Sequence, residues 1–304
     1  MITTIDGILA AAKQLQPGVI SVAAAHDDVV LEAVATARKE GLVTPILVGH
    51  IDEIRSILLE LGEDPDTYEM IAAEEDTDSA AKAVSLCAEG KADFLMKGII
   101  STADIMRAVF KKESGLRTGR LTSHLMLYEL PHYGKFLAVT DAGLNTFPDV
   151  EKKADILENA AMVLQALGYE RIYASCICSA ETVNPKVQST LDADALSRMT
   201  DRWSKYNMSV IGPVALDLAV SKDACHQKRY QADGAGEADI LLMPNYEVGN
   251  VIAKSMRLFG HARSAGGVIG ARVPIVLVSR SDSSDSKLSS IALGNILAAK
   301  MKRD

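Results

Sequence analysis

The feature that most constrains the fold of this chain is a repeated alternation of short apolar runs with segments of helical periodicity. Runs such as GVISVAAA at residues 18–25 and KFLAVT at residues 135–140 are short, apolar and partly β-branched, which is typical of buried strands. In the segments that follow them, apolar residues recur every three to four positions, as on one face of a helix. Strands that alternate with helices form a parallel sheet covered on both faces, so we predict an α/β fold.

The length of the chain indicates more than one hydrophobic core. The chain has 304 residues, and single cores usually stop growing at about 250–300 residues. The strand–helix pattern restarts near residue 131, so we predict one α/β lobe over residues 1–130 and a second over residues 131–282. Each lobe is expected to have three layers, α/β/α. A helix over residues 283–304 is expected to pack back on the first lobe.

Composition and the absence of familiar motifs exclude several classes of protein. The formal net charge of −8 argues against sequence-independent binding to nucleic acid. Apolar runs are too short to span a membrane and residues 1–15 do not read as a secretory signal, so we expect a cytoplasmic protein without membrane contact. The four cysteines lack C-x-x-C spacing, and no H-E-x-x-H, dinucleotide or G-x-S-x-G motif occurs. We therefore expect no metal site and no serine nucleophile.

The strongest candidate for a catalytic site lies where a predicted apolar strand at residues 273–278 ends and a helical pattern begins. Ser279, Arg280 and Asp282 fall at this junction, and strand carboxyl ends and helix amino ends share the ligand crevice of open α/β folds. Arg280 offers a planar fork suited to phosphate, and the helix start offers unpaired N–H groups. The alternative is that Asp282 or Ser283 only caps the helix and Arg280 pairs with a surface carboxylate.

Two stretches of the first half also favour an anion site. Lys97 follows a predicted strand at residues 93–96, and Ser101 with Asp104 has the spacing of a helix start. A surface lysine and an ordinary cap are the alternative. A basic, glycine-punctuated loop over residues 111–124 contains Arg120, and it could supply cations to a polyanion or serve as a solvated connection.

Polar, Gly- or Pro-rich tips follow several predicted strands of the second half. They cover residues 141–148, 179–185, 212–217 and 244–250. One such tip is an ordinary turn, but four that gather at one sheet edge are typical of a ligand site. Oxygen-rich loops and arginines without an obvious covalent nucleophile suit catalysis by positioning and electrostatics on an anionic substrate.

Six segments carry a resemblance to a known family. They are MKGIIST at 96–102, TDAGLN at 140–145, VNPK at 183–186, GPVALD at 212–217, ADILLMP at 238–244 and PIVLVSRSDS at 274–283. In this order they resemble the phosphate acetyl/butyryltransferase family over nearly the whole chain, and the run SRSDSSDSK looks closer to the butyryltransferase branch.

The resemblance implies an activity and an architecture. The reaction would move a short acyl group, most simply butyryl, reversibly between coenzyme A (CoA) and inorganic phosphate, by direct attack of the CoA thiolate in a ternary complex. CoA would be a substrate and not a permanently bound cofactor. The family has two lobes of the isocitrate/isopropylmalate dehydrogenase-like type with a cleft between them, and it is commonly dimeric or larger.

The resemblance also implies residue roles. Ser279 and Arg280 would hold the acyl-phosphate oxygens, Arg120 would add positive charge, and an aspartate would deprotonate the CoA thiol. In the acetyltransferase branch the proposed base lies six positions after the arginine, but that position here is Ser286. The available carboxylates are Asp282 and Asp285, and Asp282 is favoured slightly because it lies nearest the strand end. Further substrate contacts are expected from Lys97, Ser101, Thr102, Ser123, Asp141, Asn145, Asn184 and Asn250.

Other functions remain open at this point. A phosphate acetyltransferase, or a transferase for another short or branched acyl group, differs from a butyryltransferase by roughly 0.8 kcal/mol per buried methylene. A metal-dependent dehydrogenase of the same architecture would need clustered aspartates for Mg²⁺ or Mn²⁺. A CoA-ligand sensor without catalysis would result if neither aspartate pointed into the cleft.

Overall fold

A computed structural model describes residues 1–278 and 282–302 of the chain. It divides into two compact units. The first, which we call the split unit, comprises Ile5–Arg120 and the described residues from Ala265 onward. The second, the middle unit, comprises Leu121–Ser264 together with Met1–Thr4. These units change at residues 120 and 264, and the lobe boundaries expected after residues 130 and 282 stay a prediction.

The described residues form eleven strands and twelve α-helices. The strands are β1 (Gly18–Ala23), β2 (Val43–Gly49), β3 (Glu69–Ala72), β4 (Phe94–Lys97), β5 (Ser123–Glu129), β6 (Phe136–Thr140), β7 (Ile172–Ile177), β8 (Met208–Val214), β9 (Ile240–Leu242), β10 (Arg263–Ile269) and β11 (Ile275–Val276). The helices are α1 (Ile5–Ala12), α2 (Asp28–Lys39), α3 (Ile51–Glu60), α4 (Asp76–Ala88), α5 (Thr102–Phe110), α6 (Val150–Ala166), α7 (Gln188–Ser197), α8 (Thr200–Ser204), α9 (Leu216–Val220), α10 (Lys222–Lys228), α11 (Tyr246–Leu258) and α12 (Ser284–Met301).

The strands of the split unit follow the order β3-β2-β1-β4-β11-β10. The first five are parallel to one another, whereas β10 runs antiparallel to β11, with Val268 opposite Ile275. The two strands therefore form an antiparallel hairpin, joined by residues 270–274. Crossovers between parallel strands are almost always right-handed, so α2 and α3 cover one face and α4, which returns to β4, covers the other. The last helix, α12, packs against α1 and α2.

The strands of the middle unit follow the order β5-β6-β9-β7-β8. Here β5 is antiparallel to β6, and the other neighbours are parallel. The α/β prediction is confirmed, and the strands are of mixed direction, because each unit contains one antiparallel pair beside the parallel strands expected from the strand–helix alternation. The sole tryptophan of the chain, Trp203, is buried in this unit, and its Nε1–H donates to the carbonyl of Leu196 at 2.7 Å.

No helix among the residues described by the structure is both long and apolar enough to cross a bilayer.

Candidate functional site

The loop after β6 is built around one buried carboxylate. Oδ1 of Asp141 accepts hydrogen bonds from the N–H groups of Gly143 and Leu144, at 2.8 and 2.9 Å. Its Oδ2 accepts from the side-chain amide of Asn145 at 2.6 Å and from the N–H of His124 at 3.2 Å. Four donors thus converge on one buried carboxylate, which fixes the loop. The structure directs Asp141 into its own loop, and its predicted contact with substrate stays a prediction.

Two more of the predicted residues lie around this loop. Ser123 is buried next to His124, and its Oγ accepts from the side-chain amide of Asn159 at 3.0 Å. The Asn250 amide donates to the carbonyl of Ala142 at 3.4 Å. The neighbouring Gly249 allows this approach, because a Cβ there would lie 2.4 Å from the carbonyl oxygen of Asp141. The structure therefore brings Ser123, Asp141, Asn145 and Asn250 together.

Asn184 has a local role in a turn. Its Oδ1 accepts from the N–H of Lys186 at 3.0 Å, and its own N–H donates to the Thr190 hydroxyl at 2.9 Å. Asx turns of this kind fix the backbone around them. The side-chain oxygen thus stabilises the turn, and the predicted contact of Asn184 with substrate stays a prediction.

At the predicted anion site after β4, the lysine side chain is hydrogen-bonded to backbone carbonyls of its own segment. Lys97 is buried, and its ammonium donates to the carbonyls of Gly98 and Ile100 at 3.0 and 2.9 Å. Ser101 caps α5, because its Oγ accepts from the N–H of Asp104 at 3.1 Å. Thr102 is the first residue of that helix. The structure thus places Lys97, Ser101 and Thr102 in one short segment, where the capping alternative holds for Ser101.

The basic loop before β5 ends in the exposed Arg120. Its backbone N–H donates to the hydroxyl of Thr118 at 3.2 Å, and that hydroxyl donates to the carbonyl of Gly270 at 2.6 Å. This fastens the loop to the turn between β10 and β11. Both segments belong to the split unit.

Two of the four predicted catalytic residues, Ser279 and Arg280, lie outside the described residues. The helix that follows them is capped by Ser283, whose Oγ accepts from the N–H of Ser286 at 3.3 Å. Asp282 is therefore not the cap of α12. Its backbone carbonyl instead accepts from the ammonium of the buried Lys287 at 2.5 Å. Asp285 lies exposed in the first turn of the helix, where a carboxylate interacts favourably with the helix dipole.

The middle unit contains a pocket to which three of the four predicted strand tips contribute, those at residues 141–148, 179–185 and 244–250. We call it the helix-end pocket, because the first turns of α6, α7 and α11 form its wall. Its volume is about 860 Å³. It is lined by Phe147, Pro148, Asp149, Val150, Lys153, Ile177, Cys178, Ser179, Val187, Gln188, Ser189, Asp192, Pro244, Asn245 and Val248. None of the described residues that were named individually as substrate contacts or catalytic residues lines it.

The floor of the helix-end pocket holds a buried ion pair. The ammonium of Lys153 lies 2.6 Å from Oδ2 of Asp192, and the two side chains are only 5% and 6% exposed. The side-chain amide of Gln188 donates to the other carboxylate oxygen at 2.7 Å. A second cavity of about 10 Å³ is lined by both charged residues and could hold about one water molecule.

The thiols of the chain are poor nucleophiles at neutral pH. All four cysteines are free and buried, and burial raises the pKa of each thiol above its ordinary value. The effect brings the pKa of Cys87 to about 12. Cys178 lines the helix-end pocket, but a thiol with a raised pKa is almost wholly protonated near pH 7.

A histidine pair lies at the carboxyl ends of β1 and β2. The rings of His26 and His50 stack with centroids 4.2 Å apart. Nδ1 of His50 lies 2.8 Å from a Glu53 carboxylate oxygen and its Nε2 lies 2.8 Å from the carbonyl of Glu74, and these contacts raise the pKa of His50. His26, His50 and Glu53 could approach a metal ion together. Both ring nitrogens of His50 are already engaged, however, by Glu53 and by the carbonyl of Glu74.

A metal-dependent dehydrogenase would need clustered aspartates, but each of the candidate aspartates here has a separate partner. Asp217 pairs with Lys228 at 2.8 Å. Asp239 is buried against the ammonium of Lys135 at 2.5 Å. With Asp141 held inside its own loop, none of the three is arranged with the others as a ligand set in the described part of the chain.

Comparison with known proteins identifies the family. The model for phosphate acetyl/butaryl transferase matches residues 67–294. This chain belongs to that family. A phosphate butyryltransferase of Clostridium acetobutylicum is 42% identical, covering 98% of this chain and 99% of the relative. A phosphate acetyltransferase of Rhizobium meliloti is 38% identical, covering 98% and 94%. The crystal structure of a branched-chain phosphotransacylase from Enterococcus faecalis is similar at a TM-score of 0.80 and 34% identity, covering 91% and 98%.

Membership of the phosphate acetyl/butaryl transferase family confirms the resemblance found in the sequence. The segments that carried it lie where strands end. Residues 96–102 run from the end of β4 into α5, residues 140–145 leave β6, and residues 212–217 lead from β8 into α9. Local sequence alone thus placed family-specific loops at carboxyl ends of strands, where open α/β folds bind their ligands.

Proposed function

We propose that this chain catalyses the reversible transfer of a short acyl group, with butyryl preferred, between CoA and inorganic phosphate. The observation that carries the proposal is the near-full-length similarity to a phosphate butyryltransferase. We further propose that the split and middle units are α/β/α lobes of the isocitrate/isopropylmalate dehydrogenase-like type. Charged substrates such as CoA and phosphate do not cross bilayers freely, which supports a cytoplasmic location.

The chemistry is a direct displacement at an acyl carbon. In the direction of acyl-CoA synthesis, the CoA thiol loses its proton to a carboxylate and its sulfur attacks the carbonyl carbon of the acyl phosphate. A C–S bond forms, the bond from the carbonyl carbon to the bridging oxygen breaks, and phosphate leaves. A thiol of pKa about 8.5 needs this base near pH 7, since only the thiolate attacks. The raised pKa values of the four protein thiols support a route without an acyl-cysteine.

We assign the base to Asp282, with Asp285 as the alternative. Capping of α12 by Ser283, together with the hold of Lys287 on the Asp282 carbonyl, supports Asp282. The assignment of Ser279 and Arg280 to the phosphoryl oxygens rests on the family resemblance. Arg280→Ala should cost several kcal/mol of transition-state stabilisation, because it removes a charge-assisted contact.

We assign the remaining predicted residues to the loops that frame the substrates. Lys97, Ser101 and Thr102 act in the segment between β4 and α5, and Arg120 adds positive charge from its own loop. Ser123, Asp141, Asn145 and Asn250 act through the shape of the loop after β6, which their hydrogen bonds support. Asn184 acts through its turn.

The experiment that tests the proposal is thiol release from butyryl-CoA on addition of inorganic phosphate. We expect release to depend strictly on phosphate, to yield butyryl phosphate in equal amount, and to continue in the presence of a metal chelator. Release without phosphate would indicate a hydrolase. No release, with reduction of a nicotinamide cofactor, would revive the dehydrogenase. Stoichiometric CoA binding without turnover would indicate the sensor.

A phosphate acetyltransferase is the second candidate, because the relative from Rhizobium meliloti is almost as similar. The two differ in the ratio of kcat/KM for butyryl-CoA and acetyl-CoA. Two additional buried methylenes are worth about 1.6 kcal/mol, or roughly 15-fold. A ratio above about 10 supports the butyryl assignment, and a ratio below 1 replaces it with the acetyl one.

We also propose that the protein is a homodimer or a larger homo-oligomer. Phe259, at the end of α11, exposes a large apolar side chain that a second copy would cover. Light scattering on the eluting protein gives the mass directly, and a monomer at micromolar concentration would exclude self-association of useful strength.

A further inference from the structure

The helix-end pocket occupies the part of the middle unit where an open α/β sheet binds ligands. The strands β6, β9 and β7 are neighbours in the sheet, and the residues that follow their carboxyl ends line the pocket. Ligands of such sheets bind in the crevice outside these ends. Its volume of about 860 Å³ lies in the range of about 300–1,000 Å³ that small-molecule sites have. The pocket is therefore large enough for a substrate.

The lining is mainly apolar, with a few convergent polar groups. Its apolar members are Phe147, Pro148, Val150, Ile177, Val187, Pro244 and Val248. Phe147 is 70% exposed and Val248 is 39% exposed, so a ligand in the pocket would cover apolar surface that now faces water. Ser179, Gln188 and Asn245 supply hydroxyl and amide groups. This mixture is suited to a ligand that is apolar along its length and carries amides.

The charges of the pocket disfavour a phosphate as its occupant. The ammonium of Lys153 is neutralised by Asp192 at 2.6 Å, and the rim residue Asp149 is paired with Lys152 at 3.0 Å, so the pocket presents no unbalanced positive charge. Phosphate-binding sites instead present unbalanced arginine or lysine charge. Among the residues that line the pocket, the one ammonium is already neutralised. An uncharged portion of a ligand fits better.

One of the three helix starts, that of α7, has no side-chain cap, although the N–H of Thr190 in its first turn donates to the carbonyl of Val187 at 3.0 Å. Asp149 caps α6 by accepting from the N–H of Lys152 at 2.9 Å, and Asn245 caps α11 by accepting from the N–H of Val248 at 3.0 Å. The third helix, α7, follows Val187, which has no side chain able to cap it. The first N–H groups of a helix need acceptors. A carbonyl oxygen of a bound ligand would supply one at the wall of the pocket.

We propose that the helix-end pocket binds the pantetheine arm of the acyl-CoA, with an amide carbonyl of the arm accepting from the first turn of α7. The inference rests on the proposed function and adds the part of the chain that recognises the uncharged half of the substrate. The arm is a chain of methylenes interrupted by two amides, which matches the apolar lining and its scattered polar groups. The Lys153–Asp192 pair closes the floor without favouring the phosphates of CoA.

The test replaces a residue in the wall of the pocket with a larger one, so that the new side chain occupies the space of the ligand. In Val248→Trp the indole occupies space at the start of α11, and Val251→Trp, one turn along the same helix, is the matched control. Val251 is 63% exposed and does not line the pocket. We expect Val248→Trp to raise KM for butyryl-CoA at least 10-fold and to change KM for phosphate less than 2-fold. The control should change both less than 2-fold.

A direct probe uses S-butyryl pantetheine, which lacks the nucleotide and its phosphates. It should compete with butyryl-CoA on the wild-type protein, and its inhibition constant should rise at least 10-fold in Val248→Trp. Phe147→Ala provides a second variant that removes an exposed wall side chain, so the fold does not depend on it. We expect it to raise KM for butyryl-CoA about 3- to 10-fold.

The outcomes separate the pocket from the function. If wild-type protein releases thiol with phosphate, but Val248→Trp and Phe147→Ala keep normal KM values and normal inhibition by the probe, the pocket assignment is wrong. Equal effects of the two tryptophan variants would also overturn it. Wild-type protein without phosphate-dependent release would instead refute the proposed function.

Discussion

Breaking the Lys153–Asp192 ion pair should destabilise the middle unit strongly. The two charged atoms lie 2.6 Å apart with both side chains about 95% buried. At an effective dielectric constant of about 20, unit charges at this separation attract by about 6 kcal/mol, and the cost of desolvation offsets much of that. Removing one partner leaves a buried charge unpaired, which typically costs about 3–5 kcal/mol. We expect about 3 kcal/mol for Lys153→Met, because Gln188 continues to donate to Asp192.

The double variant should be less destabilised than the sum of the singles. Asp192→Asn alone leaves the ammonium of Lys153 buried without a counter-charge, so it should also cost about 3 kcal/mol. In Lys153→Met/Asp192→Asn no charge remains, and the new amide can still accept from Gln188. We expect a total loss of about 2 kcal/mol or less, which corresponds to a coupling of about 4 kcal/mol between the two positions.

Fluorescence of the sole tryptophan provides the assay. Trp203 is buried in the middle unit and donates to Leu196, four residues after Asp192 in the same helix. Its emission in increasing urea therefore reports unfolding of this unit. With a slope of about 1.5–2 kcal/mol per molar urea, a loss of 3 kcal/mol lowers the midpoint by about 1.5–2 M.

The neighbouring Lys152 gives a matched control. It forms a pair with Asp149 at 3.0 Å, but both side chains are more than half exposed. Exposed pairs contribute about 0–1 kcal/mol, so Lys152→Met should lower the midpoint by no more than about 0.7 M. Single variants at 153 and 192 that behave like this control, or strict additivity in the double variant, would refute the reasoning.

Three further predictions concern other features. Asp141→Asn turns an amide towards backbone donors, so we expect a loss of about 1–3 kcal/mol by urea unfolding and lower activity; an unchanged midpoint would contradict the loop assignment. Gly249→Ala places a Cβ 2.4 Å from the Asp141 carbonyl and should cost about 1–3 kcal/mol, whereas Ser255→Ala on the same helix should be near neutral. The raised pKa of His50 means that the folded protein binds this proton more tightly than the unfolded chain does. The resulting stabilisation of the fold is complete below the ordinary pKa of about 6.5, and it is lost as the pH rises through the pKa that His50 has in the folded protein. Glu53→Gln should lower that pKa in an NMR titration, and the destabilisation it causes should be larger at pH 6 than at pH 8.5.

Strands buried in a parallel sheet were predictable because their side chains leave a continuous apolar run. This holds for β1, β2 and β4, in which all residues but Val19 and Thr44 are buried. The position of β5 was not predicted, and with it the antiparallel pair with β6. A run of apolar residues contains no information about the direction of its neighbour, which depends on the route of the chain between them.

Boundaries of helices were harder to predict where propensity and tertiary packing compete. Residues 191–203 have the pattern of one continuous helix, but the chain forms α7 and then α8, with the break at residues 198–199. The short helices α9 and α10 were not predicted. Helices of five to seven residues are marginal on their own and depend on packing that a local pattern does not encode.

The candidate site was only partly predictable for a related reason. Loops after strand ends can be identified by polar and Gly/Pro-rich composition, and the loop at residues 141–145 was found in this way. The helix-end pocket is lined by apolar side chains that look like core residues in a sequence. Lys153 sits in a helix whose neighbouring lysine is exposed, and its partner Asp192 lies 39 positions away. Nothing local indicates that the two meet.

The discontinuous make-up of the split unit has a consequence for biosynthesis. A ribosome makes residues 5–120 first, but β11, which pairs with β4, and α12, which packs against α1 and α2, are made last. At about 5–20 residues per second, translation of residues 121–264 takes roughly 7–30 s. During that interval the nascent chain carries an open sheet edge at β4 and uncovered apolar faces of α1 and α2, and the middle unit has its full sequence before the split unit does. Chaperones that bind nascent polypeptides should therefore engage the early segment until the closing strand and helix emerge.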